Sequence, residues 1–239
     1  MNYPFGFIAA DTSRSRAYLS EMERQDILPA LIILLQSSED NLKPGQAPMK
    51  SKHSFDSDWL EANFDPCEPL EPWFRRLSIQ YMVSPSNDIN DELNIEILSN
   101  SGLDLFIYSG FGSVILKSKL LNIGISFLHI HGGYLPNYKG STTNYFDILD
   151  NDCIGASAIL LTEKIDSGPL LYRSKFKPPK EKVYLDHIYD SAARARVLSH
   201  VMSKYVNSGQ LPDPIQTTKE KYNYYYIIHP VLKHISIIK

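Results

Sequence analysis

Phe127-Leu128-His129-Ile130-His131-Gly132-Gly133-Tyr134-Leu135-Pro136-Asn137-Tyr138-Lys139-Gly140 joins an apolar run to a glycine-rich bend and carries two histidines into it. Side chains alternate along a strand, so His129 and His131 point to the same face. Two imidazoles leaving a strand end together, where glycines let other groups come close, make a poor core. They make a reasonable site.

Working back from this stretch, strand-like runs alternate with helical ones. Gly124–His131 follows a short helix ending near Leu121, which itself follows the strand Leu103–Tyr108 and the loop Ser109-Gly110-Phe111-Gly112. Ile89, Leu93, Ile97 and Leu98 have helical spacing within Ile89–Asn100. Before them come a helix over Glu71–Ser78 and a strand over Ile79–Val83. At the start, the strand Phe5–Ala10, the cap chemistry of Asp11-Thr12-Ser13, a helix over Arg16–Gln25 and the strand Ala30–Leu35 form a βαβ pattern. Residues 37–66 are polar and aperiodic, and read as a long loop with at most a short helix. Beyond the bend follow a helix over Thr143–Leu149, a strand over Gly155–Thr162, a turn and strand over Ile165–Phe176, and a long helix over Tyr184–Val206. This rhythm predicts an α/β, Rossmann-like, mostly parallel sheet with helices on both faces. Such sheets bind ligands beyond the carboxyl ends of their strands. The predicted organisation is a catalytic domain over 1–206 and a short tyrosine-rich C-terminal extension over 207–239. No internal repeat is present.

At 239 residues, with 43% hydrophobic and 21% charged residues, the chain suits a folded domain rather than a disordered or fibrous one. Its net charge of -3 offers no general attraction for nucleic acid or anionic lipid. Cys67 and Cys153 make no disulfide framework and read as reduced thiols. No leader pattern opens the chain and no run of about 18 apolar residues occurs, so a cytoplasmic protein is expected.

Imidazole suits acid–base catalysis because it titrates near neutrality, and such a base needs a partner that orients it. The best candidate is Asp166, in Thr162-Glu163-Lys164-Ile165-Asp166-Ser167-Gly168-Pro169, beside a predicted strand end. The bland alternative is an Asp bonding its own turn. A His-x-His pair can also bind zinc, with Asp166 or Asp11 as third ligand, in a metal-dependent amide hydrolase. No second metal-ligand cluster is evident, so no metal is expected.

The segment Gly110–Leu171 resembles the catalytic core of the formyltransferases that use 10-formyltetrahydrofolate. The resemblance is carried by Gly110-Phe111-Gly112-Ser113-Val114-Ile115, by His131-Gly132-Gly133-Tyr134-Leu135-Pro136 with Tyr138-Lys139-Gly140-Ser141 behind it, and by Ile165-Asp166-Ser167-Gly168. It implies that His131 and Asp166 match the histidine and aspartate of an Asn-His-Asp trio. An amine would attack the formyl carbon, His131 would accept a proton or stabilise the oxyanion, and Asp166 would orient His131. His129 stands where the family has asparagine, and is expected to replace that amide as oxyanion donor. The resemblance further implies that Phe111, Gly112, Ser113, Val114 and Ile115 hold the pterin of the co-substrate, opposite Leu161, Thr162, Glu163, Lys164 and Ile165. Gly132, Gly133, Tyr138, Lys139 and Ser141 would meet the acceptor.

Methionyl-tRNA enzymes carry a further C-terminal domain for which this tail is too short, so a tRNA acceptor is not expected. The tail, with Tyr222, Tyr224, Tyr225 and Tyr226, looks more like the short extension of sugar-nucleotide enzymes. A small-molecule amine is therefore expected, of the bacterial nucleotide-linked amino-sugar type. The tyrosines could stack on a base or sugar, make a homodimer contact, or belong to a hairpin packed on the core. The remaining alternatives are a glycinamide ribonucleotide-type enzyme, a formyltetrahydrofolate hydrolase, and a folate-binding module without catalysis.

Overall fold

The computed structural model describes residues 2–36, 59–61, 63–217 and 223–239. Its centre is a seven-stranded sheet built from β1 (Tyr3–Ala10), β2 (Pro29–Leu35), β3 (Gln80–Val83), β4 (Leu105–Ser109), β5 (Ser126–His131), β7 (Ile154–Leu160) and β8 (Leu170–Phe176), in the order β3-β2-β1-β4-β5-β7-β8. The first five are parallel, and β7 and β8 add antiparallel. The Rossmann-like expectation therefore holds, with an antiparallel pair closing one side. Buried strands such as Pro-Ala-Leu-Ile-Ile-Leu-Leu in β2 are apolar throughout because helices cover both faces.

One face packs against α1 (Ser13–Arg24), α2 (Leu70–Arg76), α5 (Thr143–Asn151) and α6 (Asp190–Ser208), where Phe5, Phe7, Leu128 and Ile130 are buried with Tyr18, Phe74, Ile148 and Leu198. The other packs against α3 (Glu92–Ser99) and α4 (Ser118–Leu121), where Ile8, Phe106, Tyr108 and Phe127 meet Ile95, Leu98 and Leu120. Phe127 thus lies on the face opposite Leu128 and Ile130, and the alternation carries His129 and His131 along with Phe127. The strand order turns back between β1 and β4, which opens a crevice at their carboxyl ends.

Several boundaries differ from the sequence reading. The helix expected from Ile89 begins at Glu92, because Asn94 is a buried clamp: its Nδ2 donates to the carbonyls of Ser86 and Asp88 at 3.1 and 2.8 Å, and its Oδ1 accepts from Ser84 at 2.6 Å. These bonds hold residues 84–90 as a loop. The long helix expected from Tyr184 is a 3-10 turn at Lys182–Tyr184, a π turn at Leu185–Tyr189 and then α6. Of the expected polar insertion, 37–58 and 62 lie outside the described residues, as does Tyr222; Trp59–Glu61 form one short 3-10 turn.

The tail is not a hairpin. β9 (Asn223–Tyr225) pairs in parallel with β6 (Tyr138–Gly140), and α7 (Pro230–Ile238) follows. His229 caps α7 by accepting from the Val231 amide, and Pro230 opens it. None of β6, β9 and α7 was expected from the sequence.

Replacing Asn94 with alanine removes three hydrogen bonds to residues 84–88, although each of those groups keeps a second partner. It should cost about 2 kcal/mol of stability in urea unfolding, with hydrogen exchange rising first in residues 84–90.

Candidate active site

The carboxyl end of β5 supplies His129 and His131. Asp166 arrives from the turn between β7 and β8, in left-handed backbone with φ of 47°. Aspartate tolerates that region better than most residues, and such outliers gather at working sites. Its carboxylate does not bond its own turn. Oδ1 lies 3.3 Å from His131 Nδ1, and Oδ2 accepts from the Gly140 amide at 2.8 Å. The other ring nitrogen of His131, Nε2, donates to the Tyr138 carbonyl at 2.8 Å. Both nitrogens of this buried ring are therefore engaged.

His129 is engaged on one side only, with Nδ1 3.3 Å from the Tyr108 carbonyl. Burial pushes its pKa well below the ordinary 6.5, and Arg14, Arg194 and His131 add to the effect. Burial also lowers the pKa of His131, while Asp166 pulls it back up.

The glycine bend does what its composition suggests. A side chain at Gly132 would start 2.3 Å from Arg194 Nη2 and 2.4 Å from Asp190 Oδ1 and would displace that pair, so the glycine leaves room for it. Arg194 then reaches the Ile130 carbonyl at 2.9 Å and Asp190 Oδ2 at 2.7 Å. Asn144 ties this group to β7, donating to Asp190 Oδ1 at 2.7 Å and accepting from the Gly155 amide at 2.8 Å. Gly140, with φ of 103°, sits against the Tyr225 carbonyl, where a Cβ would come within 2.1 Å.

These groups open into one cavity of about 680 Å³, within the usual range for a small-molecule site. Its lining includes His129, His131, Asp166 and Gly132, the loop Phe111–Leu116, and Leu161, Thr162, Lys164 and Ile165. Ser141 also lines it. Glu163, Gly133, Tyr138 and Lys139 do not. Gly133 lies under the site, with Thr143 Oγ1 and His131 Nε2 where its side chain would be. The Tyr138 hydroxyl points away to Asp150 at 3.0 Å, and Lys139 Nζ reaches Ser167 at 3.0 Å. These two residues hold the tail and the Asp166 turn rather than a ligand.

Sequence reasoning missed Arg14, Arg194, Asp190, Asp186 and Asn144. Arg14 follows β1 and bonds Ser109 Oγ at 3.1 Å and the Gly110 carbonyl. Its place after β1, at the switch in strand order, was a signal that could have found it; Arg194, deep in a long helix, gave none. Asp11 pairs with Arg16 at 2.6 Å instead of approaching the histidines. Among the described residues, no three His, Cys, Asp or Glu side chains converge as a metal site.

No family model matches the chain. Among sequences, it is 28% identical over 110 residues to the methionyl-tRNA formyltransferase of Finegoldia magna; the match covers 46% of this chain and 35% of that enzyme. The chain thus spans about a third of the length of that relative. Among solved structures, the phosphoribosylglycinamide formyltransferase of Anaplasma phagocytophilum superposes with a TM-score of 0.58 over 95% of this chain and 100% of that one, at 14% identity. The chain has the formyltransferase fold. A sugar N-formyltransferase from a Shewanella species shares the fold at a TM-score of 0.56, covering 98% of this chain and 86% of that one at 15% identity. So does HypX from Aquifex aeolicus in complex with tetrahydrofolic acid, at a TM-score of 0.52 over 96% of this chain and 30% of that one, 12% identical.

A histidine whose folded pKa lies below its unfolded value binds fewer protons folded than unfolded. Stability should therefore fall as pH drops through about 6.5, the unfolded value. Melting curves of the natural protein and the His129→Asn variant should converge as the pH is lowered, because the variant lacks the His129 share of this loss.

Proposed function

We propose that the chain is an N-formyltransferase that moves a formyl group from 10-formyltetrahydrofolate to a primary amine. One observation carries this reading: His129, His131 and Asp166 converge on a single cavity whose walls are the two segments matched to the pterin site. The formyltransferase fold and the sequence likeness to methionyl-tRNA formyltransferase support it.

The cavity suits the folate. Phe111, Val114, Leu116, Leu161 and Ile165 supply apolar surface, and no atom lies within 4 Å of the position a Cβ would take on Gly112. A flat ring could lie against that backbone. When bound, 10-formyltetrahydrofolate supplies an activated formyl group. The chain supplies the rest. Phe111–Ile115 and Leu161–Ile165 grip the ring system, and the Asp166–His131 contact holds the β5 end in place. The apolar walls exclude water that would compete with the amine.

The acceptor we favour is a nucleotide-linked amino sugar. Tyr224, Tyr225, Tyr226 and Ile227 from the tail, with Leu185 and Asp186 from the π turn, complete the cavity lining. Tyr226 is 84% exposed and Tyr224 56%, so aromatic faces are available to a base or sugar. Asp186 and Asp190 on this wall are already paired with Lys233 and Arg194. The fold shared with a sugar N-formyltransferase supports this choice, and the glycinamide ribonucleotide alternative draws on the fold shared with the Anaplasma enzyme.

The test is incubation with 10-formyltetrahydrofolate and a panel of amino-sugar nucleotides, glycinamide ribonucleotide and simple amines, read by the mass gain of a formyl group. Formylation of a sugar nucleotide is the expected result, and Asp166→Asn should lower kcat by about 100-fold or more. Folate binding without product on any amine would favour a binding module instead.

A further inference from the structure

The two histidines that leave β5 together have unequal hydrogen-bonding commitments. His131 turns Nε2 to the Tyr138 carbonyl and Nδ1 to Asp166, so both of its nitrogens face protein groups rather than the cavity. His129 gives only Nδ1, to the Tyr108 carbonyl. A carbonyl oxygen accepts and cannot donate, so the single proton of a neutral His129 resides on Nδ1. Its Nε2 then carries a bare lone pair. Nε2 makes no hydrogen bond among the described residues, it is not among the sealed, unpartnered polar atoms, and its ring lines the cavity.

We propose that His129 is the proton acceptor of the transfer, taking an N–H proton of the attacking amine on Nε2. This assignment rests on the formyl-transfer reading. As the amine nitrogen forms its bond to the formyl carbon, one of its protons passes to Nε2. As the bond from that carbon to the donor nitrogen breaks, the bonding pair stays on the donor nitrogen, which takes that proton from Nε2. The products are an N-formyl amine and the deformylated donor, and His129 ends neutral, still bonded to Tyr108. Asparagine at this position has amide donors but no basic nitrogen, so the histidine brings a different function rather than a substitute donor. His131 and Asp166 become positioning residues.

The surroundings fit a base that holds its proton briefly. His129 is influenced by Arg14 from α1, Arg194 from α6, Tyr108 from β4 and His131 from its own strand, and it shares the cavity lining with Asp190 of α6 and Asp166 of the β7–β8 turn. Arg14, Arg194 and His131 all act against a positive charge on its ring. The imidazolium is thereby disfavoured, which keeps Nε2 unprotonated at neutral pH and speeds return of the proton.

Long-range ¹H–¹⁵N spectra of the full chain labelled in histidine, recorded between about pH 5 and 8 and assigned with His129→Asn, read the tautomer without any turnover. A protonated Nδ1 and unprotonated Nε2 on His129 are expected; a bare Nδ1 with a protonated Nε2 overturns the proposal. In formyl transfer with the best acceptor, His129→Asn and His129→Ala should both lose kcat by about 100-fold or more, with melting temperatures showing that both are folded. An asparagine variant that keeps the natural kcat overturns the proton step, because asparagine can donate but cannot take a proton. Absence of product from the natural protein overturns the formyl-transfer reading itself, and the spectrum still reports the tautomer.

Discussion

The contact between His131 Nδ1 and Asp166 Oδ1, 3.3 Å long, joins the carboxyl end of β5 to the β7–β8 turn. At one end is the last residue of a central strand; at the other is a turn between two antiparallel strands. The other oxygen of Asp166 reaches the Gly140 amide, and Gly140 is paired with the tail strand through Tyr225. His131 itself reaches back to the Tyr138 carbonyl. One carboxylate and one imidazole thus fix the relative positions of β5, β6, the Asp166 turn and the tail. Their bonds are made inside the protein, where an unmatched polar group would be costly, so the arrangement has few alternatives.

Charge around this contact is arranged in pairs and remainders. Arg194 is balanced by Asp190 and His131 faces Asp166, whereas Arg14 is bound by a hydroxyl and a carbonyl and makes no ion pair among the described residues. The excess positive field falls on His129. A neutral imidazole cannot serve as a fixed cation, and its bond to Tyr108 removes its one donor from the cavity. Histidine here therefore brings a different chemistry from that of an amide side chain, and not only a different shape.

The parallel sheet was legible because strands buried on both faces are written as unbroken apolar runs, as in Phe5–Ala10, Ala30–Leu35 and Leu105–Tyr108. The pairing of His129 with His131 on one face followed from strand alternation. Spacing could not join Asp166 to His131; only the motif likeness suggested it. Three-residue strands such as Tyr138–Gly140 and Asn223–Tyr225 exist because each pairs with the other, 80 residues and more apart, so neither has a local signature. The last helix did have one, in His229-Pro230 followed by Val231, Leu232, Ile235 and Ile238. Much of that apolar side is exposed, and Ser236 is the residue it buries, so its pattern did not announce a core-facing helix. Arg194 occupies the room that Gly132 leaves at the strand end.

The tail gives the cavity its remaining wall. Tyr225 is stacked on Tyr138 with ring centroids 5.3 Å apart and packs on Phe146, so it anchors the strand, while its neighbours Tyr224 and Tyr226 stay largely exposed. The most direct measurement of the account is a crystal structure of the full chain with a stable 10-formyl folate analogue. The account predicts the pterin between Phe111–Ile115 and Leu161–Ile165, with the formyl group within reach of His129 Nε2. An analogue that binds outside this cavity, or that places the formyl group away from His129, would contradict it.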